Sequence, residues 1–147
     1  MTSLSNVVDA FLLLDDKEDS SDGISNLKLQ KLVYYAQGFH LAMYDVPLFE
    51  NEIEAWMHGP VVPELYHQFK EFGKNPIPAN QDFDIPAIFN QQQIDLICEV
   101  QETFGQFSAW QLRNMTHEEK PWMDHKDSAE KIIPKEELKE YFKTRLL

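Results

Sequence analysis

A mainly α-helical domain with one small β element is predicted for this chain on three grounds. Apolar residues recur at three- and four-residue spacing over most of its length. Ser, Asn and Pro stand ahead of these stretches, where helices begin, and Gly comes after several of them, where helices stop. Strict two-residue alternation marks one short run, Glu52–Met57. The expected α+β arrangement has about six helices packed around a central buried helix, about 26–44, with a small antiparallel β element near 52–57. With 147 residues, one domain spanning 1–147 is expected.

In chain order, Leu4–Leu14 places Val7, Val8, Phe11 and Leu14 at helical spacing. Asp15–Asp22 reads D-D-K-E-D-S-S-D and precedes Gly23, the pattern of a solvated loop. Ser25 or Asn26 caps the long second helix, which runs to about Tyr44. Leu29, Leu32, Val33, Ala36, Phe39, His40 and Met43 form its main apolar stripe, and Leu27, Tyr34 and Leu41 a second arc. A helix apolar around most of its circumference lies at the centre of a fold. Lys28, Lys31, Tyr35, Gly38 and Ala42 form the remaining wedge, flat and weakly cationic.

In Glu52–Met57, Ile53, Ala55 and Met57 fall on one side and Trp56 on the other, as in a half-buried strand that Gly59-Pro60 breaks. Pro63 fits the first turn of a third helix, with Leu65, Tyr66, Phe69 and Phe72 inward and Gly73 as its stop. Three prolines make Asn75–Pro86 an extended connection. Asn90 with Gln93 opens a fourth helix ending near Gly105, and Ser108 with Gln111 has capping-box spacing for a fifth. Pro121 limits any helix after Thr116 to about one turn. Pro134 starts the last helix, with Leu138, Phe142 and Leu146 inward.

Composition narrows function. The one cysteine, Cys98, excludes an internal disulfide and a cysteine-based zinc site, which fits a reducing compartment. No apolar run approaches a membrane span or a signal peptide, so a cytoplasmic location is expected. The net charge of -12 repels a nucleic-acid backbone. The same field attracts basic protein surfaces, or serves only to keep the chain soluble.

None of the five histidines makes an H-x-x-x-H pair, so no metal is expected, and His40 on the apolar stripe reads as a satisfied core residue. With five glycines there is no P-loop, dinucleotide fingerprint or G-x-S-x-G. Cys98 sits beside Ile97 and Val100 as a small buried side chain. The expectation is a binding protein without cofactor, not an enzyme.

Two stretches carry a family resemblance. One is L-K-L-Q-K-L-V-Y-Y-A-Q-G-F-H-L-A from Leu27, then P-L-F-E-N-E-I-E-A-W-M-H-G-P-V-V-P-E-L-Y ending at Tyr66. The other is S-A-W-Q-L-R-N-M-T-H-E-E-K-P-W, Ser108–Trp122. Together they resemble the Panacea domain of SocA-like antitoxins, also described as phage-associated proteins. The likeness extends from about Val7 but carries no signal in Asp15–Asp22 or Asn75–Asn90. It implies an antitoxin that neutralises a cognate toxin by direct binding, the toxins including small alarmone-synthetase-like enzymes. Alternatives are an adaptor that delivers the toxin to a Clp-type protease, using the acidic loop or C-terminal tail, and a phage host-interaction protein.

Core packing is the expectation for most of Leu29, Leu32, Trp56, Val61, Tyr66 and Trp110. Lys28, Lys31 and Tyr35 differ, because packing alone does not require lysine on that wedge. With Trp56, His58 and Pro60 at the Gly-Pro turn, they are the candidate partner-binding residues.

Overall fold

The computed structural model describes residues 1–18 and 21–146. The chain is wound around its second helix. In order it comprises α1 (Leu4–Asp16), α2 (Asn26–Tyr44), β1 (Ile53–Trp56), β2 (Gly59–Val61), α3 (Pro63–Phe69) and a 3-10 turn (Lys70–Phe72). Next come α4 (Ile85–Ile88), α5 (Gln91–Phe104), α6 (Ala109–Thr116), α7 (Lys120–Met123), β3 (Ile132–Ile133) and α8 (Lys135–Lys143). The fold is mainly helical with a small antiparallel sheet, as expected. The helix count exceeds about six because α4 and α7 are single turns, each with proline in its first turn.

The caps reflect local chemistry. The side chains of Ser3, Ser25, Asn90 and Ser108 accept hydrogen bonds from backbone N–H groups of the helices they precede. Gln93 and Gln111 reciprocate in two capping boxes. Asp45, in the left-handed conformation, closes α2.

Helix α2 packs against α1, α3, α5, α6, α8 and β2. This encirclement overturns the expected exposed wedge: Lys31, Tyr35, Gly38 and Ala42 are all buried. Helix α8 lies so close that a Cβ on Gly38 would come within 2.2 Å of the Phe142 ring. Tyr35 stacks on Phe104 at 3.9 Å and meets Phe142 edge-on. Met43, assigned to the apolar stripe, is instead exposed at the end of the helix.

The sheet runs in the order β2–β1–β3, antiparallel throughout. Trp56 pairs with Gly59, so Met57 and His58 form the turn of a hairpin. Gly59-Pro60 therefore begins the second strand instead of breaking the first. Pro60 is tolerated because β2 is an edge. The turn also removes Met57 from the Ile53 face and leaves it 77% exposed.

Other expectations are corrected by packing. Leu65 alone of the inward set on α3 is buried, whereas Tyr66 and Phe72 reach solvent. Leu146 is exposed beyond the end of α8. Cys98 is half-buried, and burial pushes its thiol pKa up. The expected acidic loop crosses residues 19 and 20, which lie outside the described residues. Its first member, Asp15, is not solvated: it is buried in the last turn of α1 and accepts from Ser21 Oγ and Gln101 Nε2.

Candidate partner-binding face

The polar residues of α2 point into the protein, where each satisfies a loop or strand that has lost water. Gln37 Oε1 accepts from the backbone N–H of Leu48 and Phe49, while its Nε2 donates to Phe49 O. Gln30 Oε1 accepts from Val62 N–H and its Nε2 donates to Asn26 Oδ1. Asn26 in turn donates to Tyr66 O at 3.1 Å. Lys31, with no exposed surface, donates to Pro60 O at 3.2 Å. The stretch L-K-L-Q-K-L-V-Y-Y-A-Q-G thus spells a helix that fastens the hairpin and its flanks.

The T-H-E-E-K-P-W stretch fastens the same hairpin from the other side. Trp122 Nε1 donates to Trp56 O at 2.7 Å, and the His117 ring stacks on Trp122 at 3.9 Å. Thr116 is buried against Gly59, where a Cβ would approach its Oγ1 to 2.7 Å and Lys31 Cε to 2.8 Å. Gly59 also has φ +109, so it meets both a conformational and a steric demand that only glycine meets. Glu119, buried, accepts from Tyr34 OH and Tyr35 OH, both at 2.8 Å, and from Arg145 Nη1 at 3.1 Å.

Electrostatics differ between these two anchors. Burial raises the Glu119 carboxyl pKa, opposed by hydrogen bonds from Tyr35 and Tyr34 and by Arg145. Burial, then the neighbouring Glu119 charge, raises both tyrosine pKa values, so the phenols remain donors. Lys31 is lowered to about 7 by burial, then by the positive charge of Arg113. His117 is lowered by burial, then by Arg113, Lys31 and His58. Basic groups therefore gather under the hairpin turn.

Above these anchors lies an exposed aromatic surface. Trp110, on α6, is 55% exposed, and the Arg113 guanidinium sits 4.3 Å over its ring. Arg113 Nε donates to His58 Nδ1 at 3.0 Å. The His58 ring is 5.9 Å from that of Trp110. On the other side of the turn, Trp56 and Tyr66 meet edge-on at 5.3 Å. A groove of about 300 Å³ runs among Leu27, Trp56, Met57, His58, Val61 and Tyr66. Its lining is mostly apolar.

The six candidate residues thus separate. Trp56, half-buried, and His58, exposed, belong to this surface. Lys31, Tyr35 and Pro60 are buried beneath it or in the core, because α6, α8 and the hairpin cover α2. Lys28 is half-buried and donates to Gly105 O at 2.7 Å, lining a different, polar cleft of about 750 Å³ that includes Asp15, Glu18 and Asp22. Four members of the surface lie outside the candidate set: Trp110, Tyr66 and Met57, expected inward, and Arg113, given no role. The α6 pattern contains the signal for Trp110. Leu112 and Thr116 are its buried residues, and Trp110 lies two positions, about 200°, from Leu112.

Among the described residues, no group of three or more His, Cys, Asp or Glu side chains is placed to hold a metal ion. No described helix is long and apolar enough to cross a membrane.

Fold and face together define a helical protein with a solvent-facing aromatic surface built on a stapled hairpin. The family described as "Antitoxin SocA-like, Panacea domain" matches residues 29–123, which include most of α2, the hairpin and the T-H-E-E-K-P-W stretch. The chain belongs to that family. It is similar to Antitoxin SocA of Caulobacter vibrioides (strain NA1000 / CB15N), with 35% identity over 117 residues, covering 74% of this chain. The chain spans 62% of the length of that relative. No solved structure matched.

Proposed function

We propose that this chain is an antitoxin that neutralises a protein toxin by stoichiometric binding, without turnover or cofactor. The observation that carries the reading is the exposure of Met57, Tyr66 and Trp110 around one hairpin, with half-buried Trp56 against Tyr66, in a member of an antitoxin family. Large aromatic side chains are costly to leave in water and concentrate at the energetic centres of protein interfaces. These side chains stand on rigid supports: the hairpin is tied to α2 and α7, and Trp110 lies in the first turn of a capped helix. Ordering the face on binding therefore costs little conformational entropy.

The test is co-expression with the product of the adjacent open reading frame. That product alone should arrest growth, the pair should grow, and the two should co-purify in a fixed ratio. A harmless neighbour, or rescue without association, contradicts the reading. Repeating rescue in cells lacking Clp proteases separates blocking, which survives, from delivery to a protease, which does not.

A further inference from the structure

We infer that Arg113 and His58 receive an acidic side chain of the partner, carried beside an apolar residue that enters the groove between Trp56, Met57 and Tyr66. This rests on the reading of the chain as a toxin-binding protein and specifies the chemistry of the toxin segment.

On a chain of net charge -12, an uncompensated guanidinium is unexpected. Among the described residues Arg113 has no carboxylate at ion-pair distance. Its hydrogen bonds go to two neutral acceptors, His58 Nδ1 and Asn114 Oδ1. A guanidinium has five N–H donors, so donors remain for a ligand. Accepting from Arg113 requires a lone pair on His58 Nδ1, which places the proton of the neutral ring on Nε2 as a further donor. Lys31 and His117 lie beneath, and after burial the Arg113 charge is the next influence lowering the pKa of each, so positive charges at this spot repel one another. A carboxylate arriving here relieves that repulsion and meets a fork-shaped donor held 4.3 Å over the Trp110 ring.

Shape and field select the source of the carboxylate. The neighbouring groove has room for one large apolar side chain, so the ligand carries acid and anchor together, as a protein segment does. A nucleic-acid backbone offers repeated phosphates, and the overall acidic field opposes it. Specific recognition of one acid by an arginine held over a tryptophan therefore fits a protein partner.

The test uses the full chain and the toxin identified by rescue. Replacing exposed Asn114, beside Arg113, with a photo-crosslinking phenylalanine should capture a toxin peptide containing Asp or Glu near an apolar residue. Arg113→Glu should weaken toxin binding roughly 30-fold or more. Reversing the captured acid to Lys should weaken binding to the wild type and restore it to Arg113→Glu. Arg113→Gln removes charge with less disturbance and serves if Arg113→Glu does not fold. Unchanged binding by a folded Arg113 variant, a captured peptide lacking an acid, or failure of the reversed acid to compensate each overturns the inference while leaving toxin binding intact. Absence of any toxin binding by the wild type overturns the underlying reading as well.

Discussion

Replacing Glu119 with leucine removes the acceptor shared by Tyr34 and Tyr35 while keeping similar bulk. Both tyrosines are fully buried, and their hydroxyls bond only to Glu119 among the buried partners described. An orphaned buried hydroxyl costs about 1–3 kcal/mol, so the two together should cost about 2–6 kcal/mol. Arg145 adds little, since its side chain is one-third exposed and can turn to water. Replacing both partners of a hydrogen bond with apolar groups of the same shape is nearly neutral. Glu119→Leu combined with Tyr34→Phe and Tyr35→Phe should therefore recover most of the loss. Urea unfolding monitored by helical circular dichroism measures both, with the slope checked for constancy. If Glu119→Leu lies within about 0.5 kcal/mol of wild type, a shift no larger than an ordinary surface change, or if the triple variant is no more stable than the single, the buried-network reasoning fails.

Lys31→Met should reveal a pH dependence. With its folded pKa lowered to about 7, Lys31 holds its proton more tightly when unfolded, so wild-type stability rises with pH above that point. Its destabilising contribution is full below pH 7. Relative to Lys31→Met, wild type should gain about 2–3 kcal/mol between about pH 7 and 9.5, and parallel profiles would contradict this. Gly38→Ala drives a methyl into Phe142 and should cost about 1–3 kcal/mol or more, read as a lowered melting midpoint. Duplex DNA should not be retained at physiological salt, and sequence-dependent retention in a gel-shift assay would contradict the acidic-field argument.

The helices are legible in the sequence because each begins with local chemistry. Ser25, Asn90 and Ser108 cap the helices they are expected to cap, and Pro121 allows only the one turn of α7. The central place of α2 is implied by apolar residues around most of its circumference. The location of the face is harder to read, because exposure is decided by what covers a residue. The wedge of Lys31 and Tyr35 looks polar along the helix, yet α8 and the hairpin close over it. Lysine is accommodated there by a single carbonyl, Pro60 O, contributed from 29 residues away. Likewise Tyr34 and Tyr35 require a buried acceptor, but nothing local names Glu119, 85 and 84 residues on. Alternation sets Trp56 opposite Ile53 and the following glycine marks His58 as exposed, both local signals, but the Gly-Pro step opens β2 where the sequence suggests only a break. Met57 is misassigned when alternation is continued one residue into a turn.

Toxin affinity of Trp110→Ala and Tyr66→Ala, each with an unchanged helical spectrum and melting midpoint, tests most directly whether the hairpin face is the binding face. Both side chains reach well into solvent, at 55% and 38% exposure, so neither substitution should disturb the fold. An interface anchor contributes about 2 kcal/mol or more, so dissociation constants measured by calorimetry should rise roughly 30-fold for Trp110→Ala. Growth rescue should weaken in parallel. Wild-type affinity and full rescue in both folded variants would contradict the assignment and place the toxin on another surface.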